Sequence, residues 1–170
     1  REEAQQRSQV ITAHSSKVLV DLSGRDPNGD PLGEPTETFV SSSTIQFSST
    51  GGQSHLDLIA DGVYAADLDG TPLDPAAFSH NRFPFTTEPG THEITVTALC
   101  RYSHSGEGLH RFVDPADGKV YLYTQFEIAD ARRMYADFEQ PDQKMTFELQ
   151  VIAPTGWTIV SNSPAPEPTA

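Results

Sequence analysis

Six histidines are spread along 170 residues, and their spacing decides whether a metal or a catalytic base can be built from them. His92-Glu93-Ile94-Thr95-Val96 begins like the zinc-protease pattern His-Glu-x-x-His, but Val96 stands where the second ligand is required. That motif works on a helix, where positions i and i+4 share a face and reach one ion. Here Ile94, Val96, Ala98 and Cys100 alternate with Glu93, Thr95 and Thr97, which is the period of a strand. His104 and His110 flank Gly106-Glu107-Gly108, so His104, Glu107 and His110 can be written as a small metal-hydrolase set. The same stretch reads more simply as a Gly-rich exposed connection with ordinary histidines. Cys100 is the one cysteine, which rules out an internal disulfide and a Cys-rich zinc site. At the end of an apolar run it is expected to be a buried, inert thiol. No nucleophile elbow, phosphate loop or aromatic-basic stacking array is present.

Tyr121, Tyr123, Gln125 and Glu127 form a second constellation, at i, i+2, i+4 and i+6 of an expected strand. Residues so spaced point to one face. A carboxylate beside an amide supplies the acceptors that a cationic amine seeks, and the upstream rings can wall such a site. The four also read as the polar edge of a sheet with tyrosines packed beneath. The residues alone leave these two readings level.

The elements that must position these groups are strands. Val18, Val20 and Leu22 give one, followed by a long turn over Gly24 to Pro35. Phe39 to Phe47 gives another, expected to break at Gly51-Gly52. His55 to Ile59 and Val63 to Leu68 are expected as short strands joined through Asp61-Gly62, with a further turn at Asp69-Gly70. Residues 71–90 carry four Pro and are read mostly as loop. Glu93 to Tyr102 and Lys119 to Ile128 are strands, separated by a turn at Asp114 to Gly118. Ala131 to Phe138 is expected to be a short helix with Asp130 as N-cap and Pro141 as stop. Met145 to Ile152 and Trp157 to Val160 complete the strand set. Many short strands with one short helix predict an all-β fold, an antiparallel sandwich or pair of sheets.

Composition limits the function classes. One ordinary domain fits this length, and 12 Gly with 13 Pro suit a loop-rich β fold. A formal charge of −13 repels phosphate backbones and anionic lipid, so neither nucleic acid nor membrane is an expected partner. An acidic field does attract a free peptide amine, although it also serves solubility alone. No stretch approaches a membrane span, no signal peptide is visible, and the single cysteine fits reducing cytoplasm best.

The run Gly106-Glu107-Gly108-Leu109-His110-Arg111-Phe112, then Tyr123-Thr124-Gln125-Phe126-Glu127, Asp130-Ala131-Arg132-Arg133 and Phe138-Glu139-Gln140-Pro141-Asp142-Gln143-Lys144, resembles the end of the amino-terminal domain of aminopeptidase N enzymes. The resemblance is densest over residues 106–151 and extends loosely over the earlier strands. It implies a saddle-shaped antiparallel β domain leaning on a thermolysin-like catalytic domain, with the substrate cleft between them. It further implies that Gln125 and Glu127 face the cleft, where the Glu helps bind the free amino group of a peptide. Arg132, Arg133 and Lys144 belong to the same signature and are read as holding the turn after the cleft strand.

The zinc ligands and the exopeptidase loop of that family are absent from these residues. The resemblance therefore implies zinc in the parent enzyme, none in this chain, and a chain inactive alone whose partners are its own catalytic domain and peptides with a free amino terminus. Residues 1–8 are expected as a polar lead-in, 9–160 as the β domain and 161–170 as a Pro-rich linker. Apart from the resemblance, a stand-alone acidic β-sandwich binding or adhesion module also fits the strands and charge.

Overall fold

A computed structural model describes residues 2–26 and 28–169. The chain is all-β, with two sheets. The larger joins six strands and the smaller is a two-stranded hairpin. The strands are β1 (Ile11–Asp21), β2 (Thr38–Asp57), β3 (Gly62–Leu68), β4 (Thr71–Leu73), β5 (Arg82–Arg101), β6 (Gly108–Val113), β7 (Val120–Gln125) and β8 (Thr146–Ile152).

 The full order of the large sheet is thus β4-β3-β5-β2-β1-β8. Every pairing in it is antiparallel except the last, where β8 runs parallel to β1 from Ser15↔Thr146 to Asp21↔Ile152.

The spine of the sheet is the β2–β5 pair, in register from Thr38↔Arg101 to Asp57↔Arg82. Its two faces differ in chemistry. Phe39, Ile45, Phe47, Ile94, Val96, Ala98 and Cys100 face inward and are buried. The outer face carries a cross-strand polar ladder: Ser42 meets Thr97 at 2.9 Å, Thr44 meets Thr95 at 3.0 Å, and Gln46 donates to Glu93 at 3.0 Å. Burial pushes the Cys100 thiol up to about 12, so it is inert as expected.

Residues 126–138 cover the inward face, with Met134, Tyr135, Ala136 and Phe138 buried against it. The Phe138 ring packs edge-on against Phe47 and Phe85, at centroid distances of 5.6 and 6.3 Å. Aromatic pairs in such tilted geometry add to the apolar burial. The hairpin β6-β7 adds Leu109, and Leu122 packs beside it.

Several local expectations give way to tertiary pairing. β2 does not break at Gly51-Gly52; it passes through them, with Thr50 opposite Pro89 and Gly52 opposite Thr87. Gly51 has φ 94°, and a Cβ there would lie 3.1 Å from the Pro89 ring, so glycine lets the long pair bend without ending. Asp61-Gly62 does not close a hairpin, because β3 pairs with β5 and β4 rather than β2. Asp69-Gly70 does close one, between β3 and β4, with φ of 55° and 79°. Much of 71–90 is strand rather than loop. Pro84 and Pro89 are tolerated in β5 because β3 covers it only over Ile94 to Leu99, leaving that part of one edge free.

The expected helix at 131–138 is a single 3-10 turn, Ala131–Arg133. Asp130 stands at its N-cap but makes no capping bond; its carboxylate accepts from Arg133 Nε at 2.7 Å instead. Trp157 to Val160 is not a strand, since no neighbouring strand pairs with it. The polar residues at the start form the helix α1 (Glu2–Val10), with Glu2 and Glu3 favourably placed in its first turn.

Candidate functional site

β6 and β7 pair from Gly108↔Gln125 to Val113↔Val120. Period two then sorts the hairpin into two faces. Leu109 and Leu122 turn to the core. On the other face, His110 lies opposite Tyr123 and Phe112 opposite Tyr121, with Gly108 opposite Gln125. Tyr121, Tyr123 and Gln125 therefore share a face, as their spacing predicts. Glu127 lies two residues past the end of β7, in the turn that follows. The side chain of Gln125 reaches across to it: Gln125 Oε1 accepts the Glu127 backbone N–H at 3.1 Å. Both side chains are exposed.

The turn after β7 is held by its own residues. Asp130 N–H donates to the Phe126 carbonyl at 3.1 Å, and Arg133 closes on Asp130. Arg132 N–H donates to Glu139 at 2.7 Å, tying the turn to the segment behind it. Gly108 has φ 64°, and a Cβ there would come 2.6 Å from Arg133 Cβ. Glycine is thus required for the strand opposite Gln125 to lie against this turn. Lys144 is exposed, and no described carboxylate lies within ion-pair distance of it, so the turn is held without it.

What the arrangement offers chemically is acceptors. The Glu127 backbone is held at the strand end by the Gln125 amide, which that bond orients, and the Glu127 carboxylate is exposed beside it. A protonated amine needs such a set. The rings upstream form a continuous surface leading to it. His110 and Tyr123 have centroids 4.8 Å apart, and Phe112 stacks on Tyr121 at 5.4 Å.

His104, Glu107 and His110 do not assemble into a metal set. His104 Nδ1 donates to the Arg111 carbonyl at 3.0 Å, while His110 Nδ1 accepts the Gly106 N–H at 3.1 Å. Glu107 is engaged by the Ser105 hydroxyl, which holds its carboxyl below the usual range. Among the described residues no group of three His, Cys, Asp or Glu side chains is placed to hold a metal ion. The residues present therefore do not fit zinc.

A buried polar cluster lies elsewhere and was not legible beforehand. Arg7 of α1 is buried, with Nη1 3.0 Å from Asp57 Oδ2, and it also donates to His55 Nε2. Glu3 and Arg82 pair at 2.6 Å at its rim. Asp57 and His55 alternate with Leu56 at the end of β2, where ordinary strand polarity gives no sign that a helix 50 positions away supplies the countercharge.

Residues 74–169 match the family model described as the peptidase M1 N-terminal domain. The chain is 46% identical, over 99% of its length, to an aminopeptidase N of Streptomyces lividans, of which it covers 19%. It is 33% identical over 58% of its length to an aminopeptidase N of Acetobacter pasteurianus, covering 29% of that protein. It is also 31% identical over 46% of its length to an aminopeptidase N of Bos taurus. The chain thus spans less than a third of the first two of these relatives.

Proposed function

Because the chain belongs to the peptidase M1 N-terminal domain family, we propose that it is the non-catalytic amino-terminal domain of a zinc aminopeptidase, lending Gln125 and Glu127 to the site that holds the free amine of a peptide substrate. The observation that carries this reading is the bond from Glu127 N–H to Gln125 Oε1, which brings the Glu127 backbone against the Gln125 amide at the end of an aromatic-lined strand. A metal ion held by a catalytic domain of the parent enzyme would supply polarisation of the scissile carbonyl and activation of water. This domain's own part is to bind and orient the amine.

The β domain takes residues 9–160 with α1 docked on it, and residues 161–170 serve as the linker. Its partner is the catalytic domain. Ile128, next to Glu127, is 89% exposed, and Phe147, Leu149 and Ile152 are exposed along the edge strand β8. Apolar residues left open at a site and along an adjoining edge suit a surface that another domain covers. Among the described residues no helix is long and apolar enough to cross a membrane. The buried single thiol fits a reducing compartment, the cytoplasm.

The test is Glu127→Ala in the full-length enzyme. The expected result is a rise of tenfold or more in KM for amino-terminally free substrates, as one charge-assisted contact to the amine is lost. Wild-type kinetics in that variant would sink the assignment.

A further inference from the structure

We infer that a cavity on the outer face of the large sheet, beside the loop that follows β1, binds a free α-amino acid with an apolar side chain. The cavity does not involve Gln125 or Glu127. Its floor is set by strand register. Leu19 lies opposite Ser42, while Asp21 lies opposite Val40 on one side and Ile152 on the other. Leu19, Asp21, Val40 and Ile152 therefore meet on one face where β8, β1 and β2 run side by side. Ile152 alternates with Phe147 and Leu149, so it stands on the other face of β8 from those two. The loop is fastened beside this floor. Leu22 N–H donates to the Ile152 carbonyl at 2.9 Å, Leu32 N–H to the Gly24 carbonyl at 2.8 Å, and Asp26 N–H to the Asp30 carbonyl at 2.9 Å. The space between loop and sheet is about 330 Å³. That is the small end of the range for ligand pockets, suited to one amino acid rather than a peptide.

The cavity presents both charges over an apolar floor. Asp21 is only 8% exposed, an unusual degree of burial for a carboxylate. Its Oδ1 accepts the Ser23 N–H at 2.6 Å and the Ser23 hydroxyl at 2.5 Å. Its Oδ2 accepts no bond among the described residues, yet it is not sealed from solvent, so it is open to a donor. Arg25 lines the same space, with Nη1 donating to the Gly29 carbonyl at 2.6 Å. A guanidinium has five N–H donors, so others remain for a carboxylate. Among the described residues neither Asp21 nor Arg25 belongs to an ion pair. Asp26 is spent on its own loop, accepting the N–H groups of Asn28 and Asp30 at 2.9 and 2.8 Å. A purely cationic ligand would meet Arg25 and a purely anionic one would meet Asp21. A zwitterion satisfies both, its amine on Asp21 and its carboxylate on Arg25, with Leu19, Val40 and Ile152 left for an apolar side chain. An aminopeptidase releases such amino acids, so the ligand would be a product of the parent enzyme. That link alone rests on the function proposed above.

Titration calorimetry on the full-length aminopeptidase tests the inference with three ligands: L-leucine, leucinol, which lacks the carboxylate, and 4-methylpentanoate, which lacks the amine. Leucine should bind with a Kd at least tenfold below that of either analogue. Arg25→Gln should abolish the advantage over leucinol, and Asp21→Asn the advantage over 4-methylpentanoate. Arg25 is exposed, so its variant keeps the test open if Asp21→Asn disturbs folding. Kinetics on alanine p-nitroanilide should be unchanged in Arg25→Gln, which sets the change in leucine binding apart from the active site. Equal affinity of the wild type for all three ligands overturns the inference. So does an advantage over leucinol that survives Arg25→Gln, or anilide turnover that falls in step with leucine affinity. Glu127→Ala separates the two ideas: normal anilide kinetics there, with leucine selectivity intact, would remove the amine site and leave this cavity standing.

Discussion

Asp57 and Asp137 are joined backbone to backbone, Asp57 N–H donating to the Asp137 carbonyl at 2.7 Å and Asp137 N–H returning to Asp57 at 3.1 Å. The pair pins the covering segment to the end of β2, yet the two carboxyls fare differently. Burial pushes Asp57 up, but the His55 hydrogen bond and the Arg7 charge outweigh it and hold the group below its usual range. Asp137 Oδ1 is buried without a partner, and burial together with Glu139 drives that group from 3.8 to about 6.

The sign follows from Asp137 binding its proton more tightly in the folded state. Its stabilising contribution is complete below its unfolded value of 3.8 and is lost as pH rises through about 6. Asp137→Asn should therefore raise stability at pH 7 by on the order of 1–3 kcal/mol and flatten the fall across that window. Urea denaturation at pH 4, 5, 6 and 7 checks both.

Arg7→Met should act the other way. It leaves the Asp57 carboxylate buried and short of its strongest countercharge, at a cost of about 3–5 kcal/mol. Adding Asp57→Asn to that variant should recover part of the loss. A double-mutant cycle by denaturant titration measures the coupling.

His92 offers a pH-dependent pair on the opposite part of the sheet. Its Nδ1 faces Asp69 Oδ2 at 2.6 Å and its Nε2 faces the Glu88 carbonyl at 2.8 Å, two acceptors that the protonated ring satisfies together. The Asp69 hydrogen bond raises His92 and, in return, lowers Asp69. The His92 contribution is complete below about 6.5 and fades as pH rises through its raised value; the Asp69 contribution is complete above about 4 and fades as pH falls. Asp69→Asn should remove a small stability maximum between those limits, under about 1 kcal/mol because Asp69 is half exposed. NMR titration of the His92 ring should show its midpoint moving down in the variant.

Gly108→Ala should disturb the site without touching it. The left-handed backbone alone costs about 1–2 kcal/mol, and the new methyl collides with Arg133. Thermal unfolding should show the loss, and KM for free-amine substrates of the full enzyme should rise as the turn bearing Glu127 shifts.

The strands whose sides differ in polarity were legible in the sequence. Ile94, Val96, Ala98 and Cys100 announce one buried face of β5, and Tyr121, Tyr123 and Gln125 share a face as their spacing requires. β6 was missed because Leu109 and Phe112 are apolar on opposite faces, so no alternation shows. Trp157 to Val160 has strand composition and lacks a neighbour, whereas Arg82 to Gly90 has unfavourable prolines and gains one. In both cases pairing between distant segments decides, and local preference cannot register it. Arg7 is the same lesson for charge: nothing within α1 marks it for burial.

The parallel pairing of β8 with β1 has a consequence for how the chain is made. β1 is made before the other strands of this sheet, and its second edge stays open until Thr146–Ile152 has been synthesised. The nascent sheet therefore grows from β2 outward through β5 and β3 while its oldest strand waits for its youngest. Closure of that edge is a late, long-range event, and an interrupted translation product would carry an unpaired, aggregation-prone strand.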